Sequence, residues 1–268
     1  MSLLDTNASR SEHLVVAGNG MAAIACVEEI LKSGGAFDIT IFGEEPHGNY
    51  DRTLLASVLA GELDTESMML NGIEWYQEHG IRTRLGIRVE EIDRTGCAVR
   101  SNDGDWTHYD KLILATGASP EIPPMEGLDG AGVFVFGTLD EVRRLAEAAR
   151  PGARAEVIGG TSAVEVSRAL RKRGCEVTNG NAVNADLVVI ATNPRPNVDL
   201  AREAGLRVNR GIVVNERMET SDPAIFAIGA CTEPNGLMLA DQAKVLAANL
   251  VDWNRGLSFP NRSTQAIS

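Results

Sequence analysis

Apolar positions along the chain follow two rhythms: short unbroken runs, and longer stretches that repeat every three or four residues. Leu14-Val15-Val16-Ala17 is an unbroken run, long enough for a buried strand. Gly18-Asn19-Gly20-Met21-Ala22-Ala23 follows at once, and Ile24, Val27, Ile30 and Leu31 then recur at helical spacing until Gly34-Gly35. Further along, a strand is predicted over 38–42, short helices over 53–59 and 73–80, and alternating strands over 81–93. From Cys97 the pattern reads strand, turn, strand, with Asn102-Asp103-Gly104 as a hairpin turn, and 109–115 is a buried strand.

The same grammar then recurs. A strand over 155–158 leads into the small-residue turn 159–163, a helix over 164–173, a strand over 175–178 and the turn Asn179-Gly180. Residues 185–192 parallel 109–116 nearly position for position. The chain closes with a strand over 211–214, a turn at 220–223, a buried strand over 225–229 and a helix over 239–253. Strands alternating with helices predict an α/β protein with parallel sheets and two copies of one unit, the second following the first.

Composition changes this picture little. Of 268 residues 44% are hydrophobic and 23% charged, ordinary values for a globular protein with ample core. The formal charge of −12 argues against nucleic acid or an anionic membrane surface as partner. No apolar run approaches the roughly 20 residues of a membrane span, and the first ten residues lack the apolar core of a secretory signal. Cys26, Cys97, Cys175 and Cys231 lie 71, 78 and 56 residues apart, so no C-x-x-C pair suggests a redox disulfide or a metal site. A reduced, cytoplasmic protein without a metal is expected.

The chemistry sits in the first turn. Gly18, Gly20 and Ala23 make G-x-G-x-x-A between strand and helix: Gly18 for the tight turn, Gly20 for backbone approach to a pyrophosphate, Ala23 for close packing of helix on strand. The phosphates would lie on the free N–H groups of the helix start. Glu44, 21 residues beyond Ala23 at the end of the second strand, is placed to accept ribose hydroxyls and to repel a 2′-phosphate. The alternative is the same turn without a ligand.

GNGMAA, ITIFGEEPHGNYDRTLL, YDKLILATGASP, RPNVDLAREAGLRVNRGIVVNERMETSDP and IFAIG, in that order, resemble the FAD-dependent pyridine nucleotide–disulfide oxidoreductase superfamily. The likeness is greatest to the FAD/NAD(P)H half of the nitrite reductase large subunit, then to rubredoxin and ferredoxin reductases. It runs from about His13 to Trp253. The resemblance implies a Rossmann-like, glutathione reductase-like FAD/NAD(P) fold with a shortened, inserted second dinucleotide-type domain. Its expected layout is a disordered leader (1–12), a discontinuous FAD-binding domain (13–120 and 196–256), a truncated NAD(P)H-domain remnant (121–195) and a tail (257–268). Carried over position by position, Gly18, Gly20, Met21 and Ala22 face the FAD pyrophosphate, and Glu44 with Glu45 holds the adenosine ribose. Arg52 approaches flavin and phosphates, the backbone of Val89 meets adenine, and Ala115-Thr116-Gly117 passes the FAD.

Two positions depart from the family. The strand ending at Gly229 continues with Ala230 where the family has an acidic residue on a ribityl hydroxyl; Glu233 is the nearest carboxylate. In the second unit the turn Gly159-Gly160-Thr161-Ser162-Ala163 is one residue short, with Thr161 where backbone should approach phosphate. Only 36 residues run from Glu156 to Ala191, enough for one βαβ unit. The expectation is therefore an FAD-dependent oxidoreductase that transfers electrons through FAD, with impaired or absent NAD(P)H binding and no general base or nucleophile of its own. Its partner would be an electron-transfer protein or a larger reductase subunit. The alternative is a non-catalytic FAD-binding or flavin-free interaction or relay subunit.

Overall fold

The computed structural model describes residues 11–125, 127–128, 130, 132–178 and 185–255. The expected tail, the turn Asn179-Gly180 and residues 1–10 of the leader lie outside the described residues. The chain falls into two compact units. One takes the described residues up to Glu45, Gly80–Ala115 and the described residues from Val198 on; the other takes the described residues of Pro46–His79 and Thr116–Asn197.

The first unit is built on a five-stranded parallel sheet ordered Ile225–Ala227, Lys111–Leu114, Glu12–Ala17, Phe37–Gly43, Arg82–Leu85. The first strand begins at Glu12, inside the span read as leader. Leu14, Val15 and Val16 are wholly buried, which is why this strand reads as an unbroken apolar run and not as an alternation. Val15, Leu112 and Leu114 share a core with Val89, Ile92 and Val99 of the antiparallel meander Val89–Asp93, Ala98–Ser101, Trp106–His108. Helices Met21–Lys32 and Leu239–Asn254 pack on each other. Phe37–Gly43 and Lys111–Leu114 flank the first strand on opposite sides, so the strand order reverses there. A crevice outside the carboxyl ends of such strands is the usual place for a ligand in open α/β sheets.

The second unit has a four-stranded parallel sheet ordered Val133–Val135, Leu187–Ala191, Arg154–Gly159, Glu176–Thr178. Val142 and Leu145 from helix Leu139–Ala148, and Val166 and Leu170 from helix Thr161–Lys172, close over Ala155, Val157 and Val189. Residues 46–79 belong to this core although they precede it in the chain: Tyr50, Leu55, Leu59 and Met68 are buried in it, and the Tyr50 hydroxyl accepts the Leu139 N–H at 3.1 Å.

Two local expectations need correction here, and one signal went unread. The helix read as 164–173 starts at Thr161, because Gly160 is its N-cap and Thr161 and Ser162 already continue the helix. The strand read over 211–214 reduces to isolated bridges from Ile212 to Val208 and to Thr232. Helix Leu139–Ala148 carries a signal that the periodicity reading passed over. Thr138 and Glu141 form a capping box, each side chain bonding the other's backbone N–H, before Leu139, Val142 and Leu145.

Candidate functional site

The first turn gathers residues from four strand ends. Gly18 has φ +121°, a conformation that favours glycine, and donates its N–H to Phe42 O at 2.8 Å, tying the turn to the end of the second strand. Gly43 makes room beside it, since a Cβ there would come within 2.9 Å of the Asn19 Cβ. Gly20 is different. Its φ of −82° suits any residue, and a Cβ built on it meets nothing within 4 Å. It is the N-cap of helix Met21–Lys32, which has no side-chain cap and no acidic residue in its first turn. No side chain caps the N–H groups at this positive end of the helix dipole. This is a cradle that a Cβ would fill, and it fits the pyrophosphate of a dinucleotide.

Ala115 closes the third strand end by donating its N–H to Ala17 O at 2.9 Å. The fourth is Gly229, with φ +83°; a Cβ there would lie 2.6 Å from the Ala22 Cβ, so the Ala22 methyl packs on this turn. Gln242 holds the turn by accepting the Gly229 N–H at 3.0 Å, and Thr232 Oγ1 donates to Gly229 O at 2.8 Å. Ala230 is exposed beside it. Glu233, the nearest carboxylate, accepts the Gly211 N–H at 2.9 Å and is committed there.

Glu44 stands just past the second strand with its side chain 70% exposed, and its Oε1 lies 3.0 Å from Arg88 Nη1. Arg88 also reaches Glu90 at 2.7 Å. The loop that carries it runs along the strand end: Ile87 N donates to Gly43 O at 2.9 Å and Gly86 N to Glu45 O at 3.2 Å. Val89 follows at once, buried at the start of its strand.

A family described as pyridine nucleotide-disulphide oxidoreductase matches residues 12–179 and 178–245, nearly all of the described chain. The chain belongs to that family. It is 36% identical over 302 residues to the assimilatory nitrate reductase electron transfer subunit of Bacillus subtilis (strain 168), covering 90% of this chain and 39% of the relative. It is 34% identical over 300 residues to nitrite reductase [NAD(P)H] of the same organism, covering 89% and 37%. The chain thus spans about two-fifths of the length of these curated relatives. Among solved structures, the covalent putidaredoxin reductase–putidaredoxin complex is similar in fold, with TM-score 0.81 and 24% identity over 90% of this chain and 76% of that one.

Both sequence alignments are longer than the 268 residues of the chain, so the relatives contribute residues that have no counterpart here. The two segments of the family match meet at residues 178–179, the point where strand Glu176–Thr178 ends. At the second turn, the Ala191 carbonyl fills the space beside Gly159, where a Cβ would run into it. The Asn193 side chain stands where a Cβ of Gly160 would point, 2.5 Å away at its Oδ1. Thr161 is exposed as the first helical residue. A cavity of about 430 Å³ lies at this turn, lined by Glu121, Pro123, Pro124, Thr192 and Asn193 with the two glycines.

Three carried-over residues belong to the second unit. Arg52 is exposed, donates to Gly137 O at 3.3 Å and lies 5.7 Å from the centre of the Tyr50 ring. Thr116 and Gly117 are laced to Asn197, where the chain returns: Thr116 Oγ1 donates to Asn197 O at 2.7 Å, Asn197 Nδ2 to Thr116 O at 2.8 Å, and Asn197 N to Gly117 O at 2.9 Å. Sequence reasoning missed Arg88, Gln242, Asn193 and Asn197. Each acts on a residue far away in the chain, and no local pattern marks it. No helix among the described residues is long and apolar enough to cross a membrane.

Proposed function

We propose that the chain is the flavin-binding module of an oxidoreductase, holding FAD at the turn Gly18–Ala23 and passing electrons to a protein partner. One observation carries this reading: Gly20 has an ordinary backbone and an open Cβ direction, so its lack of a side chain serves something that lies against the turn. Backbone N–H groups of Met21 and Ala22 would meet the pyrophosphate, Glu44, with Glu45 beside it, the adenosine ribose, and the backbone at Val89 the adenine. Gly229 and Ala230, with Ala115, belong to the same expected set in the first unit. Bound FAD supplies the electron-carrying ring, and the protein supplies position and polarity. The relatives, named as an electron transfer subunit and a nitrite reductase, support a partner that is an electron-transfer protein or a larger reductase subunit. The four free cysteines accord with a cytoplasmic setting.

The same proposal denies the second unit a working NAD(P)H site. It is supported by Asn193 against Gly160, by the exposed Thr161, and by the break of the family match into two segments at 178–179. Productive hydride transfer needs the nicotinamide held within about 3–3.5 Å of its acceptor, an orientation that remote binding energy supplies. The test is visible absorption of the purified or FAD-titrated chain, followed by anaerobic reduction. A flavin spectrum, full reduction by dithionite, and reduction by NADH or NADPH that is slow and linear in concentration are expected. Fast reduction saturating at micromolar NADH would restore an ordinary pyridine-nucleotide enzyme. A colourless chain that takes up no FAD would instead favour the flavin-free interaction subunit. That second reading draws on Ala230 and on the commitment of Glu233 to Gly211.

A further inference from the structure

We propose that His13 is a proton-sensitive latch on the edge strand Arg82–Leu85: neutral, its ring accepts hydrogen bonds from Thr40 and Arg82, and protonated, it turns a donor toward both and frees the strand. The latch lies within the first unit, near the start of its strands, and stands whether or not the turn Gly18–Ala23 holds a dinucleotide. Three neighbouring strands supply it. His13 pairs with Asp38 across the first two strands, and Thr40 pairs with Arg82 across the second strand and the edge. Thr40 Oγ1 lies 2.9 Å from His13 Nε2, and Arg82 Nε donates to that hydroxyl oxygen at 3.2 Å. Arg82 Nη2 stands 3.2 Å from the same Nε2. A guanidinium only donates, so Nε2 is an acceptor, and the Thr40 hydroxyl donates to it as well. The ring's remaining bond, to the His108 backbone, then falls to Nδ1, which carries the single proton.

Protonation of Nε2 undoes this arrangement. The new N–H faces two donors, and the buried Thr40 hydroxyl loses its acceptor. The charged groups facing the ring are Arg82 on the edge strand, Asp38 on the second strand and Asp110 just before Lys111–Leu114. With His13 charged, these four groups sum to zero, so net charge is not what opposes the proton. The hydrogen bonds are. Both Asp38 oxygens are already bonded to Arg82 at 2.8 Å, and Asp110 spends Oδ2 on the His13 backbone N–H at 2.7 Å. Partial burial of the ring, with Arg82 beside it, holds the His13 pKa below its ordinary value against the pull of the two carboxylates. A base lowered in this way contributes stability above about pH 6.5 that is lost as the pH falls toward the folded value. Arg82–Leu85 is outermost in its sheet and runs into the loop 86–89, so it is the element that gives way.

Two measurements on the full chain test this between about pH 7.5 and about pH 5, the range in which imidazole titrates. Nuclear magnetic resonance of the histidine rings, with the His13 ring assigned through its own backbone, should show His13 titrating below about 6.5, and Arg82→Gln should raise that value. Amide hydrogen exchange, expressed as protection factors, should show Arg82–Leu85 losing protection about threefold to tenfold on acidification, the scale of one lost hydrogen bond, with the same midpoint as the ring. His13→Gln offers an amide oxygen to the same donors and does not titrate here, so its strand protection should stay level. A His13 ring that titrates at or above about 6.5 overturns the latch, as does strand protection that falls in His13→Gln as it does in the wild type. Should His13→Gln not fold, the wild-type curves decide alone: a strand midpoint apart from that of the ring overturns the proposal, and a shared one carries it.

Discussion

At Gly20 the backbone is ordinary and a side chain would project into open space, whereas at Gly159 and Gly160 the space beside the turn is taken by Ala191 and Asn193 of the same chain. Both turns join a parallel strand to a twelve-residue helix with a glycine N-cap and no side-chain cap. In sequence they are two versions of one motif. The structure separates them by asking what each glycine is for. The fold itself needs Gly159, because the Ala191 carbonyl leans over it and accepts the Gly160 N–H at 3.3 Å. Among the described residues nothing crowds a Cβ at Gly20, and its φ suits any residue. A glycine that the fold does not require is the stronger sign of a ligand, and this difference is what makes the first unit the candidate site.

The largest effect should come from filling the open turn. At φ −82° a side chain is allowed at Gly20 and its Cβ meets no atom within 4 Å among the described residues, so Gly20→Val should fold with a denaturation midpoint close to that of the wild type. Its branched side chain would stand where the pyrophosphate lies against the backbone, and FAD and ADP binding should be lost. A folded Gly20→Val protein that binds dinucleotide at full stoichiometry would remove the distinction between the two turns.

How far the chain revealed this in advance follows from the range of the interactions involved. Leu14–Val16, Gly18 and Glu44 were legible because a buried parallel strand, its turn and the next strand end are local and carry their own composition. The crossing at Thr116–Gly117 was legible as a break, but not its three bonds to Asn197, 80 or so residues on. Leu55 and Leu59 announce that their helix is buried without saying against what, and their place in the second core could not be read from spacing. Arg88 and Glu44 lie 44 residues apart, and only the run of the 86–89 loop along Gly43 and Glu45 brings them together. The membership of the chain in its family was readable because several motifs occur in one order.

A gain of binding sharpens the comparison from the other side. Ala230 is exposed at the turn Gly229–Cys231, so an aspartate fits there without displacing packed atoms. If the ribityl chain passes Gly229 as the family resemblance implies, Ala230→Asp supplies the missing acceptor. A hydrogen bond to a charged group contributes about 1.5–3 kcal/mol, so FAD should bind about 10- to 150-fold more tightly, measured by titration of wild type and variant side by side. An unchanged or weaker dissociation constant would mean that the flavin lies elsewhere or is absent.

The smallest effect is on the second turn, and it should appear in stability and not in binding. A Cβ at Gly159 meets the carbonyl carbon and oxygen of Ala191 and the nitrogen of Thr192, all backbone atoms that no rotamer change can move aside. Gly159 pairs with Ala191 across the central strands of its sheet, so the strain falls on the register itself and on the Gly160 bond to Ala191. Overpacking of this kind costs about 1–3 kcal/mol, partly offset by about 0.4–1 kcal/mol because alanine restricts the unfolded chain. Gly159→Ala should therefore lower the urea midpoint while leaving FAD affinity and the linear NADH kinetics untouched. If it also weakened FAD or slowed the reduction by NADH, the second glycine pair would be serving a ligand after all, and the contrast with Gly20 would fail.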